Sequence, residues 1–346
     1  MVNNRTYHII GAGIAGLYTA KLIKTKFPLS TIILYEASQH VGGRCGSYFS
    51  SDFNCDIDYA THVVLNKNKL TRQLLGKSVF VHPINFWSFT KNTFIPKLKC
   101  LPEIFTAIFN TSRPAWSCVF YVWRKLFPLR SCKAYFSCGT LQSTLCDPLL
   151  VFANDIKYGY KWLGHESSDK RLTKLIFNQE TINLSAQDVV ISAIDSFNYH
   201  KIMNTYDFDY HAITNIFYRT SMALSLPKNL KMLGIKNAVS QWVFCHSDYL
   251  SVTISQSFKK PDIRHIWKEI CDIRHYNSAF LPIHKIHYFP HATIQQDAKN
   301  NAKRPVTAQT PFKNLLICGD WTMKNQPCCI ETALQSAKRV IKFLPH

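Results

Sequence analysis

The chain is short of acid, short of glycine and without paired cysteines, and each scarcity removes a class of protein. Only 21 Asp and Glu stand against 41 Lys and Arg, so the formal charge is +20 and the sequence pI about 9.5. Such an excess favours an anionic partner: nucleic acid, acidic lipid or a phosphorylated ligand. A general enrichment in lysine is the plain alternative. The twelve cysteines contain no C-x-x-C, Cys132, Cys138 and Cys146 lack ligand spacing, and Cys328 and Cys329 are adjacent. No metal site is indicated, and reduced, mostly buried thiols of a cytosolic protein without a signal peptide are expected. No apolar run has the length of a membrane span or a signal h-region; the run Tyr7–Ile10 is broken by Gly11. No internal repeat or low-complexity tract occurs. What remains, 346 residues with 47% hydrophobic and 18% charged side chains, is a globular chain of two domains, or of one domain with an inserted lobe.

The first sixty residues carry the clearest pattern. "TYHIIGAGIAGLYTAKLIKTKFPLSTIILYE" predicts strand, tight turn, helix, turn and strand. Gly11, Gly13 and Gly16 form a G-x-G-x-x-G. The first glycine permits the turn, the second lets a diphosphate approach the backbone, and the third lets helix and strand pack closely. Ile14, Leu17, Leu22 and Ile23 give the helix its apolar side, and Pro28 follows its end. Thr31–Tyr35 is a β-branched and apolar strand that delivers Glu36, about 20 residues beyond the last glycine. A carboxylate there accepts from ribose hydroxyls and repels a 2′-phosphate, which disfavours NADP. A purely structural βα turn is the competing reading.

Six residues after Glu36 come Gly42, Gly43 and Arg44. At the other end of the chain, Leu315–Cys318 reads as a strand, Gly319-Asp320 ends it, and a helix begins at Ile330. Val189–Ala193 is a further buried-strand run.

Flavoproteins related to glutathione reductase and the amine oxidases carry a second glycine pair followed by arginine, and "EASQHVGGR" resembles that pattern. The resemblance implies FAD rather than NAD, with Arg44 on phosphate oxygens or the flavin end. The same superfamily ends in strand, Gly-Asp, loop and helix. Asp320 would then accept from ribityl or diphosphate-side hydroxyls, and the amides at Ile330 and Glu331 would face the N1–C2=O edge of the flavin. Within that superfamily the chain resembles hydroxysqualene dehydroxylase, also called squalene-associated FAD-dependent desaturase. The match rests on the glycine motifs, on "DYATH" (Asp58 to His62), on "SQWVFCHSDYLSVTIS" (Ser240 to Ser255), and on the stretch from His291 through the C-terminal helix. Departures are a shortened middle, Ala60 and Thr332 where glycine is common, and Cys328-Cys329 in place of smaller residues.

The implied fold is α/β: a Rossmann-like FAD lobe of the glutathione-reductase type (1–75, 150–198 and 311–346) with an inserted α+β substrate lobe (76–149 and 199–310). The implied reaction is reductive dehydroxylation of hydroxysqualene to squalene by hydride from reduced, non-covalently held FAD. Asp58 and His62 are candidates for the polar, catalytic end of the site, on one side of the segment if it is helical. Trp242 and Phe244 alternate on a strand and line either a lipid cavity or the core. Carotenoid desaturation or amine oxidation on the same fold is the first rival, although Ala212–Leu226 offers no lysine of the kind amine oxidases hold over the flavin. A non-catalytic flavin- or lipid-binding remnant is the second.

Residues 79 to 133 hold 12 aromatics, eight Lys or Arg and a single acid, Glu103. This composition fits an interfacial segment, with rings at headgroup depth and cations facing anionic lipid. A core helix with a cationic outer side fits it too, and a nucleic-acid surface fits it less well. The expected partners are an isoprenoid lipid, an anionic membrane surface and the upstream enzymes of the squalene pathway, with no nucleic acid. The expected location is cytoplasmic and peripheral to the membrane.

Overall fold

Thr6–Ile10, Thr31–Glu36 and Val189–Ser192 are short runs rich in Ile and Val, the composition of strands covered on both faces. In the computed structural model they are neighbours in one sheet. It is described over residues 5–345 except 66, 78, 127–132, 221–225, 258–260 and 277–279. The sequence "FPLR" after Leu126 and part of the lysine-free stretch before Leu226 therefore lie outside the described residues. So does Cys132.

The sheet has five parallel strands in the order Asp155–Tyr158, Thr31–Glu36, Thr6–Ile10, Val189–Ser192, Leu315–Ile317. The first strand in sequence sits at its centre. The chain builds outward to one side and then returns to build on the other. Such a switch point opens a crevice at the carboxyl ends of the strands, where α/β sheets bind ligands.

The described helices are α1 (Ile14–Lys26), α2 (Lys69–Leu75), α3 (Leu101–Phe109), α4 (Trp116–Leu126), α5 (Ser196–Met203), α6 (Ile263–Arg274), α7 (Ala298–Lys303) and α8 (Ile330–Val340). One face of the five-stranded sheet is covered by α1 and α8, whose Leu17, Ile23, Leu334 and Val340 close on Ile9, Leu34 and Ile191. The other face is covered by an antiparallel meander, Trp162–Ser168, Arg171–Phe177 and Thr181–Asn183. Its Leu172, Leu175 and Phe177 close on Ile10, Tyr35, Val190 and Ile317. The fold is α/β, a Rossmann-like lobe carrying a second lobe of mixed α and β.

That second lobe is a seven-stranded sheet in the order His284–Ile294, Tyr210–Arg219, Tyr249–Ser255, Trp242–Cys245, Met232–Lys236, Phe86–Ser88, Thr93–Ile95. All its pairs are antiparallel except Met232–Lys236 with Phe86–Ser88. Alternation decides what each face does. Val243, Val252 and Ile254 face α6, whose Ile266, Trp267, Ile270 and Ile273 cover them. The Asp262 side chain caps α6 by accepting from the Arg264 and His265 amides, worth about 1 kcal/mol. Trp242 and Phe244 point the other way, into a core with Phe86, Phe136 and Met232.

Helix α4 divides the aromatic, basic segment between two environments. Ala115, Cys118 and Val122 are buried with Phe109, whereas Trp116, Phe120 and Trp123 are exposed. Among the described residues no helix is long and apolar enough to cross a membrane.

Candidate functional site

The crevice is built from two glycine turns folded onto each other. Gly11 ends the central strand at φ 102° and donates its N–H to the Tyr35 carbonyl at 2.7 Å. A Cβ on Gly16 would lie 2.0 Å from the Gly11 oxygen, so that position admits no side chain. Gly13 differs: a Cβ there would meet nothing nearer than the Gly42 oxygen at 4.0 Å. It stands at the start of α1, where no side chain caps the helix and no acid occupies the first turn. An uncapped helix start beside open space is the kind of cradle that suits a diphosphate.

The second pair closes on the first. The Gly42 amide donates to the Ala12 carbonyl at 2.9 Å, and Gly13 and Gly42 form an isolated parallel bridge. Gly42 and Gly43 both have positive φ, 103° and 55°. A Cβ on Gly42 would meet the Gly46 Cα at 2.9 Å. The pair exists because the backbone must turn sharply against another backbone. Glu36, beside them, accepts from the Ala12 amide at 2.8 Å and from the Ser38 amide and hydroxyl at 2.9 Å. Its carboxylate is thereby held at the rim of the cradle.

Arg44 leaves this turn and reaches the far end of the sequence. Its Nη2 donates to Asp320 Oδ1 at 2.8 Å and its Nη1 to the Ala292 carbonyl at 2.9 Å. Asp320 raises the Arg44 pKa above its ordinary value, keeping the guanidinium charged. Asp320 is buried, and its Oδ1 also accepts from the Trp321 amide. The oxygen expected to meet a ribityl hydroxyl is thus paired with Arg44, the residue expected to meet phosphate. Gly319, at φ 127°, donates to Ser336 Oγ on α8 at 2.8 Å.

Ile330 opens α8, whose N-cap Cys329 makes no side-chain cap. The neighbouring Glu331 carboxylate is turned away from the crevice. It accepts from the Leu70 and Thr71 amides and from Thr71 Oγ1 at 2.9–3.3 Å, capping α2. At Glu331, then, the side chain is structural, and the expectation for this position concerns its amide alone.

The pair expected to act together does not meet as a helix would have it. Residues 59–63 are bend and coil, not helix, because Asp58 still belongs to the strand Cys55–Asp58. Asp58 Oδ1 accepts from Ser47 Oγ at 2.5 Å and from the Leu141 amide at 2.9 Å. Burial pushes its carboxyl up to about 6. His62 instead places Nε2 at 3.2 Å from the Arg44 carbonyl. A carbonyl only accepts, so Nε2 carries the hydrogen. Burial lowers the His62 pKa and keeps the ring neutral near pH 7. His62 therefore fixes the Arg44 peptide, and Asp58 fixes the start of the helical turn that follows Leu141. Trp242 and Phe244, the proposed substrate contacts, are core residues. Their neighbour Phe86 also lines a groove of about 290 Å³ with Ile84, Phe94, Ile95 and Leu230.

Other residues at the crevice carried little or no local signal. Asp195, Ser196, Tyr210, His291 and Cys328 line a narrow cleft beside Arg44 and Asp320. Asp195 follows the buried strand Val189–Ser192, so the carboxyl end of that run was the clue. Tyr210 and His291 come from the other lobe's sheet. Arg304 is almost wholly buried and donates to the Asp320, Trp321 and Gln326 carbonyls at 2.7–2.9 Å, shaping the loop between Asp320 and α8. Thr61 Oγ1, Ser251 Oγ and His246 Nε2 form a chain at 2.8 and 3.1 Å. Burial pushes His246 down to about 4.

Residues 9–77 match the family model of the NAD(P)-binding Rossmann-like domain. Over nearly its whole length the chain is similar to curated hydroxysqualene dehydroxylases. The protein from Sinorhizobium fredii is 25% identical over 412 positions, with 97% of each chain covered. The one from Rhodopseudomonas palustris is 24% identical over 413, again with 97% of each covered. An oxidoreductase from Methanosarcina mazei has the same fold, with a TM-score of 0.72 at 12% identity, covering 97% of this chain and 100% of its own. The chain is an oxidoreductase with a Rossmann-like lobe.

Proposed function

We propose that the chain is an FAD-dependent oxidoreductase that reduces a membrane-dissolved isoprenoid alcohol, with hydroxysqualene as substrate and squalene as product. The observation that carries this reading is the closure of the two glycine turns on each other, with Arg44 spanning to Asp320 near the other end of the chain. The uncapped start of α1 suits a diphosphate, Glu36 suits the hydroxyls of a ribose, and the uncapped start of α8 suits the electron-rich edge of a flavin. The likeness to hydroxysqualene dehydroxylases along nearly the whole chain supports the substrate.

The start of α1, Glu36 and the start of α8 would hold FAD without a covalent link, and the reduced cofactor would supply the hydride for the reduction, the hydroxyl departing with a proton as water. The residues of the chain do the rest. The α1 amides and Glu36 orient the adenosine diphosphate half. The neutral His62 holds the Arg44 peptide in place from its Nε2–H. Arg304 holds the loop that carries Asp320 towards α8.

The test is anaerobic. The purified chain is loaded with FAD, reduced with dithionite, and mixed with hydroxysqualene. Squalene should form as the visible flavin absorbance returns in equal amount. A reduced flavoprotein that stays bleached with hydroxysqualene would sink the substrate assignment and leave another reaction, or none, on this fold.

A further inference from the structure

Helix α4 carries large rings where a globular protein has little use for them. Trp116, Phe120 and Trp123 are 85%, 63% and 42% exposed. Their spacing of four and three residues puts them on one side of the helix. The opposite side is fixed by packing: Cys118 and Val122 are buried with Ala115 and Phe109. The Ala115 amide donates to the Gln296 carbonyl, and Tyr121 Oη donates to Gln326 Oε1 at 2.8 Å. The rings cannot be turned inward without breaking these contacts.

Along the sequence that carries the rings the charge is of one sign. Arg113 and Arg124 are exposed, and the Arg124 guanidinium lies 5.8 Å from the centroid of the Phe120 ring. After Glu103, which pairs with Lys236, the next acid in the sequence is Asp147.

We infer that this face of α4 is a docking surface for an anionic lipid bilayer. Tryptophan and phenylalanine suit the headgroup and upper acyl region, and arginines beside them suit lipid phosphates. A second copy of the chain fits poorly, because it carries the same +20 charge and the same stretch, 104–146, without an acid. The position gives the contact a use. Helix α4 rests on Gln326, two residues before Cys328, which lines the cleft beside Arg44 and Asp320. Docking would put the rim of the crevice against the membrane, where an apolar substrate could enter without crossing water. The surface stands on exposure and charge alone, so its test needs no flavin and no turnover.

The full chain is sedimented with vesicles of phosphatidylcholine and with vesicles that also contain phosphatidylglycerol. Wild type should bind the anionic vesicles at least about tenfold better. Trp116→Ser, Phe120→Ser and Trp123→Ser together should lower that binding about tenfold or more at unchanged circular dichroism. Brominated acyl chains should quench wild-type tryptophan fluorescence, and less so in Trp116→Phe. Equal binding by the triple variant, or no quenching in bound wild type, would overturn the assignment. So would retention by a single-stranded RNA with none by the vesicles. Should the triple variant misfold, the quenching in wild type still decides.

Discussion

Gly13 and Gly16 are letters of one motif and answer to different demands. A side chain at Gly16 would collide with the Gly11 carbonyl, whereas one at Gly13 would enter open space at an ordinary extended φ of −72°. Gly16→Ala should therefore cost about 3 kcal/mol or more in chemical denaturation, or prevent folding. Gly13→Ala should stay within about 0.5 kcal/mol of wild type and weaken FAD binding about 10- to 100-fold, roughly 1.4–2.7 kcal/mol, by flavin fluorescence titration. Equal affinity in Gly13→Ala would show that the open space is not the cradle. Asp58 gives a second separation. Its carboxyl titrates near 6 in the folded chain against an ordinary 3.8, because burial favours the neutral form. Below the lower value both states are protonated. As pH rises through the interval the unfolded chain ionises first, so stability falls, and above about 6 the loss is complete. Asp58→Asn keeps an acceptor for Ser47 and Leu141 and should lack this fall; thermal melts between pH 3.5 and 7 (about the two values bracketed) would read it. A variant with the same slope as wild type would contradict the burial argument. The glycines and Glu36 were legible because sterics and charge act locally there. The partners of Asp58 were not, since Leu141 is 83 residues away.

Both ends of the Rossmann-like lobe were readable as elements because their periods are unambiguous. The strand at Thr31–Glu36, the helix from Ile14 and the helix from Ile330 fall where the sequence put them. Residues 59–63 were harder: an acid and a histidine four apart suit one side of a helix, yet the strand before them continues through Asp58. Glu331 carries a task that the sequence did not announce: its amide is the group expected at the flavin edge, and its side chain caps α2, a helix with no side-chain cap of its own at Asn68. Removing that carboxylate leaves the Thr71 amide and hydroxyl short of a partner inside the protein. Glu331→Ala should cost about 1–3 kcal/mol in thermal or chemical unfolding, with amide exchange accelerated first in α2. Unchanged protection of α2 would assign the cap elsewhere.

At the scale of the molecule, one sheet gathers residues that are far apart in sequence. Gly11, Ala193 and Gly319 follow three adjacent strands and meet at their carboxyl ends. The strand order of the second lobe could not be read, because its buried strands look alike and its pairings join residues as distant as Phe86 and Gly234. The alignment with the curated relatives spans 412 positions against 346 residues here, so at least 66 of those positions have no residue in this chain. The crevice motifs survive that shortening, which is why the flavin reading rests on them. Its most direct test is uptake of FAD by the purified, flavin-stripped chain, followed by absorbance and by quenching of flavin fluorescence. Stoichiometric uptake, weakened in Gly13→Ala at unchanged stability, is the expected result; a wild-type chain that folds and leaves FAD free in solution would contradict the account.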